Sequence, residues 1–400
     1  MDKDVAIVGA GPAGAWAAYT LARRGARVML VDPSHPREKA CGGGVTGRAL
    51  SLVSGAIDVA DLPACAIQSV RFTDSARGES VAVDLSATAP AVFRTIPDLI
   101  VASRTDFDGR LLAAARDAGA SLLAARVTDL APERGGFRID TTSGSQRAAI
   151  VIGADGANGL IRRRLARPFR RAQLSIATGY FAHGITSDEI VIELIPDPPG
   201  YLWSFPRPTH LAIGICAQAD AGVTAGALRA KALDWIGRTR LAVGARLESY
   251  AWPIPSLADR DLDALDVSGR GWCLAGDAAG LVDPITREGI YFALLSGEWA
   301  ADAAAAEDTG AWRRYAERVR EEIGGELARA ARFKAGFFRP RFTRLMIDAL
   351  RQSAAIRTVM ADLVAGRQPY AGLEWRLART LEVGLAWRLM ISARRIRRGV

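Results

Sequence analysis

Residues 200–215, GYLWSFPRPTHLAIGI, carry an aromatic side chain at every second position until a proline stops the run. A period of two is a β-strand pattern, because successive side chains point to opposite faces. Tyr201, Trp203 and Phe205 then share one face, Leu202 and Ser204 the other, and Pro206 ends the strand. PDPPG at 196–200 is a turn signal and sets a hairpin-like bend before it. SVRFTDSARGESVAVDL, IVIELIP and HLAIGICAQ are short β-rich segments separated by turn residues, as an antiparallel sheet requires. Towards the C-terminus, LARAARFKAGFF and TRLMIDALRQSAAIRTVMADLVAG place apolar residues three and four apart and predict helices. Pro340 separates the two, and Gln-Pro-Tyr at 368–370 breaks the second.

Residues 5–32 predict strand, turn, helix, strand. VAIVGAG supplies a buried strand, and Gly9, Gly11 and Gly14 form GxGxxG where that strand meets a helix. The first glycine allows a tight turn, the second a close approach to a pyrophosphate, and the third close packing of helix on strand. The helix start around Ala13 offers free N–H groups and a positive dipole end to phosphates. ARVMLVD, the second strand, ends in Asp32, whose carboxylate is placed to accept from a ribose 2′-OH. Further on, GWCLAGDAAGLVDPITREGI reads as an apolar strand ending at Gly276-Asp277, then a loop, then a helix near Gly289. VASRTDFDGRLLAAA starts with a helix at Arg104. IVIGADGANGLIRRRL is a buried strand, a turn containing Asp155, and a basic helix start.

Four hundred residues, half of them hydrophobic and 24% charged, describe a folded chain of two or three domains. No secretory signal is apparent, and no apolar run reaches the roughly 18 residues that a spanning helix needs. Cys41, Cys65, Cys216 and Cys273 form no CxxC, so neither zinc nor an iron–sulfur cluster is assigned, and a reducing cytoplasm fits. The net charge of +9 is uneven: residues 311–400 hold 20 Lys/Arg against 8 Asp/Glu. Such a tail suits nucleic acid, an anionic membrane surface or an acidic protein. With no nucleic-acid motif present, nucleic acid ranks last. Arg394, Arg395, Arg397 and Arg398, following LAWRLMISA, suit peripheral contact with the inner face of a membrane; solvated helix faces are the alternative. Lys39, one of four lysines, is placed to bind phosphate, pair with an acid or stay solvated. His183 and His210 belong to no triad or metal spacing and are taken as structural.

Three segments together, KACGGGVTGRAL (39–50), YLWSFPRPTHLAIG (201–214) and GDAAGLVDPITREGIYFALLSGEWAA (276–301), resemble the geranylgeranyl reductase family of flavoproteins. That family lies within the p-hydroxybenzoate hydroxylase-like FAD superfamily, and the resemblance runs in order from about residue 5 to about 300. It implies an α/β fold: a FAD-binding Rossmann-type domain with an inserted antiparallel β-sheet substrate domain and a helical C-terminal region. The expected boundaries are 1–67, 96–170 and 266–310 for the FAD domain, 68–95 and 171–265 for the sheet, and 311–400 for the helices. The implied FAD contacts are Ala13, Asp32, Cys41, Gly42, Gly44, Arg104, Val127, Asp277, Gly289 and Ile290. The resemblance also implies that the Asp155 turn, with Arg104, supports the cofactor's phosphates and the sheet crossing. The chain departs from the family at Arg287-Glu288-Gly289, where Gly-Glu-Gly is usual.

Members of that family saturate C=C bonds of polyprenyl chains, and the same reaction is expected here. Hydride delivery to one carbon of an unactivated alkene needs a proton at the neighbouring carbon, and as that proton arrives the carbon awaiting hydride becomes cationic, which suits a pocket of low dielectric with π faces. Tyr201, Trp203 and Phe205 meet that demand and also line a channel for an apolar chain, with Gly214 leaving room opposite. Cys41, beside the Gly42–Gly44 run, is a candidate proton donor or packing thiol. With no second GxGxxG, the electron donor is external, a ferredoxin or NAD(P)H. Two other classes compete. A flavin monooxygenase or halogenase shares the fold, and halogenases carry WxWxIP and a working lysine, for which Lys39 alone is plausibly near. A prenyl-binding escort without chemistry has no need of Asp32 and the Asp277 loop.

Overall fold

The computed structural model describes residues 4–85, 96–306, 308–380 and 384. Its spine is a six-stranded sheet in which Trp272–Leu274, Ile150–Gly153, Asp4–Val8, Arg27–Val31 and Ser121–Leu123 run parallel in that spatial order, with Ser268–Gly269 antiparallel at one edge. Val5 to Val8 are all buried, as a central parallel strand covered on both faces demands. The helix Pro12–Ala22 lies against Ile290–Ala305 so closely that a Cβ on Gly297 would stand 2.4 Å from the carbonyl oxygen of Ala13. A three-stranded antiparallel meander, Val127–Glu133, Gly136–Thr141 and Gly144–Ala148, precedes the strand Ile150–Gly153.

The second large sheet has seven strands in the order Arg246–Pro255, Leu174–His183, His210–Gln218, Pro199–Pro206, Glu189–Pro196, Ser69–Asp74 and Glu79–Asp84. It departs from the expected antiparallel pattern at one place: Glu189–Pro196 pairs parallel to Ser69–Asp74. Those two strands come from separate stretches of chain, so no hairpin forces them to reverse. Leu202, Leu211, Ile213 and Ile215 face the helix Ala225–Thr239 and close around Trp235. Tyr201, Trp203 and Cys216 face the other way, where Phe338, Met346 and Ile347 of the C-terminal helices complete a core with them.

Those helices are Ala311–Arg318, Gly325–Phe337, Pro340–Gln352, Ala354–Val364 and Leu373–Ala378, the first two joined by a π-helical turn. Pro340 does more than separate: it occupies the first turn of its helix, where its missing N–H costs nothing. The segment 343–366, expected as one helix, is two. Ser353 divides it, its Oγ accepting from the N–H of Ile356 at 3.1 Å as an N-cap. No described helix is long and apolar enough to cross a membrane. Arg394, Arg395, Arg397 and Arg398 lie outside the described residues.

Candidate active site

A single cavity of about 860 Å³ runs from the glycine-rich turn to the aromatic strand. At one end are Gly9, Gly11, Ala13 and Asp32. Arg104, Val127 and Asp155 stand along its side, with Cys41, Gly42, Gly44, Asp277, Gly289 and Ile290 further in. Tyr201, Trp203 and Phe205 form the far wall together with Val70, Phe72, Ile192 and Phe337.

Three of the expected site residues are not on that wall, and each supports one that is. Gly14 is the packing glycine: a Cβ there would lie 1.8 Å from the Gly9 carbonyl oxygen. Gly276 has φ +59 and donates its N–H to Ser296 Oγ at 2.9 Å. Gly214 sits opposite Trp203 in register, and its Cβ would meet Trp203 Cζ2 at 2.4 Å and the Tyr250 hydroxyl at 2.6 Å. It makes room for the indole, not for a ligand.

The turn itself is open towards the cavity. Gly9 needs its φ of +101°, and a Cβ there would strike Ala154 O at 2.4 Å. A Cβ on Gly11 would meet nothing nearer than His35 Nε2 at 3.8 Å, so the backbone faces the cavity bare. No side chain caps Pro12–Ala22 or Ile290–Ala305, which leaves the first N–H groups of both helices to a ligand. Asp155 adds a buried Oδ1 without a partner among the described residues, and burial raises its pKa to about 6. These features fit a dinucleotide.

Asp32 is bound more fully than its position in the sequence implies. Its two oxygens accept from Ala10 N–H (3.0 Å), Ser34 N–H and His35 N–H (both 2.8 Å), and His35 Nδ1 lies 2.9 Å away. A carboxylate offers about four acceptor sites, so all are engaged and a ribose hydroxyl must displace one. Burial opposes the charge, yet the His35 and backbone hydrogen bonds outweigh it and hold the carboxyl well below the usual carboxylate range. His35 was missed as a site residue; its signal is DPSHP, directly after the second strand.

Cys41 and its glycines are held from two sides. Gly43 donates its N–H to Cys41 Sγ at 3.3 Å. Gly42 and Gly44 lie under the Phe205 ring, whose atoms would stand 2.9 and 3.2 Å from a Cβ on each. Their smallness thus admits the aromatic strand. Arg207, one residue past that strand, is fully buried and reaches back to the same loop. Its Nη2 donates to Cys41 O at 2.7 Å, and its Nη1 pairs with Glu38, which also accepts from Ser103 Oγ. Its role is invisible in a motif search, because Glu38 and Cys41 lie more than 160 positions away. Arg104 is buried in a two-pronged pair with Asp108 (2.9 and 2.7 Å), and Lys39 Nζ pairs with Asp277 Oδ2 at 2.8 Å. Tyr201 donates its hydroxyl to Thr286 O at 3.1 Å, and burial pushes its pKa well up, so the ring is what it presents. His183 pairs with Glu248 at 3.0 Å. His210 lies against Arg207 and Thr209, and burial with the Arg207 charge lowers its pKa to about 4. Both are structural contacts.

Residues 2–200 match the FAD binding domain family model. A menaquinone reductase from Mycolicibacterium smegmatis is 29% identical over 408 residues, 94% of this chain and 95% of that one. A digeranylgeranylglycerophospholipid reductase from Methanothrix thermoacetophila is 28% identical, covering 85% and 88% of the two chains. The chain belongs to the geranylgeranyl reductase family of FAD-dependent oxidoreductases. The crystal structure of a geranylgeranyl bacteriochlorophyll reductase-like protein from Thermoplasma acidophilum superposes with a TM-score of 0.76 at 22% identity, over 94% of this chain and 99% of that one. As in that family, the cofactor is FAD, and the uncapped helices and bare Gly11 backbone would offer it hydrogen-bond donors.

Proposed function

We propose that this FAD-dependent oxidoreductase saturates C=C bonds of a polyprenyl chain or a similar hydrophobic substrate. The observation that carries it is the continuity of the cavity: the dinucleotide end opens directly onto a wall of Tyr201, Trp203, Phe205, Val70, Phe72 and Ile192. An apolar, aromatic channel of this size buries a hydrocarbon chain and excludes water from the reacting carbon. FAD, when bound, supplies the hydride. Trp203 and Tyr201 offer ring faces to a carbon that becomes positive, and Phe205 fixes the Cys41 loop beneath them. Cys41 Sγ holds the proton for the neighbouring carbon, and the Gly43 N–H pointing at it supports the sulfur as the proton leaves. Arg207 keeps that loop in place by binding Cys41 O. Cofactor contacts then fall to 1–67, 96–170 and 266–310, and substrate contacts to the inserted sheet and the helices after 311. Electrons enter from an external donor, a ferredoxin or a nicotinamide. The basic C-terminal segment would rest on the inner membrane face, where prenyl lipids reside.

The test is anaerobic. The flavin is reduced chemically and a geranylgeranyl lipid is added. Flavin reoxidation with a gain of two hydrogens per bond by mass spectrometry is the expected result. Turnover that requires oxygen, with or without halide, would sink the reading in favour of a monooxygenase or halogenase. Trp203→Ala is expected to lower turnover at least tenfold while FAD stays bound.

A further inference from the structure

Arg287 holds a left-handed backbone conformation of the kind glycine favours, φ +62°. Non-glycine residues rarely occupy that region, so the surroundings must hold this arginine in place. Arg287 lines the cavity and donates from Nη1 to Ser256 Oγ at 2.6 Å. Lys334 donates to the same Ser256 Oγ and to Gln218 Oε1, both at 2.6 Å. Two cations therefore share one neutral hydroxyl. Among the described residues neither has a carboxylate within ion-pair distance, and Arg287 Nε is buried without a partner.

The surroundings do not neutralise them. Asp283 is fully buried; burial pushes its pKa up, against the N–H groups of Ile285 and Thr286 that bind Oδ1 at 2.7 and 3.0 Å. Asp220 acts on Lys334 only through space. Alternation along His210–Gln218 places Gln218 on the same side as Cys216, and Ser256 directly follows the strand that carries Ile254; both Cys216 and Ile254 line the cavity. Tyr201, bound to Thr286 O, stands next to the Arg287 backbone. Arg287 thus stands on the cavity lining beside the aromatic wall, with Lys334 behind it on the shared Ser256 hydroxyl.

We propose that Arg287 and Lys334 form an oxyanion subsite that takes a phosphate-type head group of an amphiphilic, hydrophobic-tailed ligand. A part-buried guanidinium whose Nε–H is buried without a partner, with an adjacent ammonium, is the donor set that such a group needs. The inference rests on the proposed reductase reading only for the apolar tail.

The test is equilibrium binding to the FAD-loaded, oxidised protein, with geranylgeranyl diphosphate, geranylgeraniol and inorganic diphosphate as the three probes. The diphosphate ester is expected to bind at least tenfold more tightly than the alcohol. Arg287→Gly should remove most of that preference, and Arg287→Lys should restore part of it. Flavin absorbance reports whether each variant holds FAD; if Arg287→Gly does not, Lys334→Met, expected to lose severalfold of the preference, carries the test. Equal affinity of ester and alcohol in the natural protein, or an unchanged preference in the variants, would overturn the proposal. Inorganic diphosphate binding as tightly as the ester would overturn the amphiphilic assignment in favour of a free anion. Because no turnover is involved, a failure here leaves the reductase reading intact. Equally, an Arg287-dependent preference without hydrogen transfer would sink the reductase reading alone.

Discussion

Gly9 and Gly214 would each bring a Cβ to 2.4 Å from a neighbour, and the neighbours differ in kind. At Gly9 it is the backbone oxygen of Ala154, between two parallel strands of the FAD end. At Gly214 it is the indole of Trp203, a side chain seated on the next strand. The dinucleotide end of the cavity is thus shaped by main chain against main chain, within a motif short enough to be local. The aromatic end is shaped by side chains from strands and helices far apart in sequence. Backbone cannot yield, and side chains yield at a price in packing. One end is therefore brittle and the other adjustable.

The sharpest way to break this contrast is Gly14→Ala. The added methyl meets the Gly9 oxygen at 1.8 Å with no side chain to move aside. A loss of at least about 3 kcal/mol and of retained flavin is expected; a purified variant with full flavin absorbance and an unchanged Tm would contradict it. Gly214→Ala should cost less, about 1–3 kcal/mol, because Trp203 and Tyr250 can shift. Thermal unfolding measures the cost, and flavin content is expected to stay full. If flavin is lost as completely as in Gly14→Ala, the two ends are not separable.

Lys334 probes the same contrast through pH. Burial, followed by the Arg287 charge and against weaker pulls from Cys216, Asp220 and Asp283, lowers its pKa to about 7. A folded-state pKa below the unfolded value means that the unfolded chain binds the proton better. Lys334 therefore costs stability most fully below pH 7, and the cost fades as pH rises towards the ordinary lysine pKa of about 10.4. Lys334→Met is expected to stabilise the protein by on the order of 1 kcal/mol at pH 6, and by less at pH 10. Unfolding midpoints at the two pH values decide it, and a larger gain at pH 10 would refute the assignment. The smallest effect belongs to His183→Ala. Its pairing with Glu248 is largely solvated, so a change within about 0.5 kcal/mol and unaltered flavin binding are expected. A marked loss of turnover would overturn the structural assignment of His183.

Much of the FAD end was legible because its signals are consecutive. Strand, glycine turn, helix and Asp32 occupy fewer than thirty residues, and each is specified by backbone requirements of its own neighbours. The aromatic alternation of 201–205 was legible for the same reason, since a strand has a fixed period. Its partners were not. The Phe205 ring over Gly42 and Gly44, and Arg207 on Cys41 O, join residues that only folding brings together. His35 was within reach of a local reading and was passed over. Ser353 hid a helix break because its neighbours on both sides keep helical periodicity. The parallel pairing of Glu189–Pro196 with Ser69–Asp74 could not be seen at all, as pairing direction depends on where two distant stretches enter the sheet.

Sequence alone determined the dinucleotide turn, the strand that carries Tyr201, Trp203 and Phe205, and the family to which the chain belongs. These rest on local backbone geometry and on residue order. Tertiary structure decided that Gly214 serves Trp203, that Asp32 is already saturated by His35 and its neighbours, and that Arg287 and Lys334 share Ser256 without a counter-charge. The physical reason is range. Dihedral preference and periodicity act over a few residues, whereas burial and charge compensation depend on every segment that packs around a point.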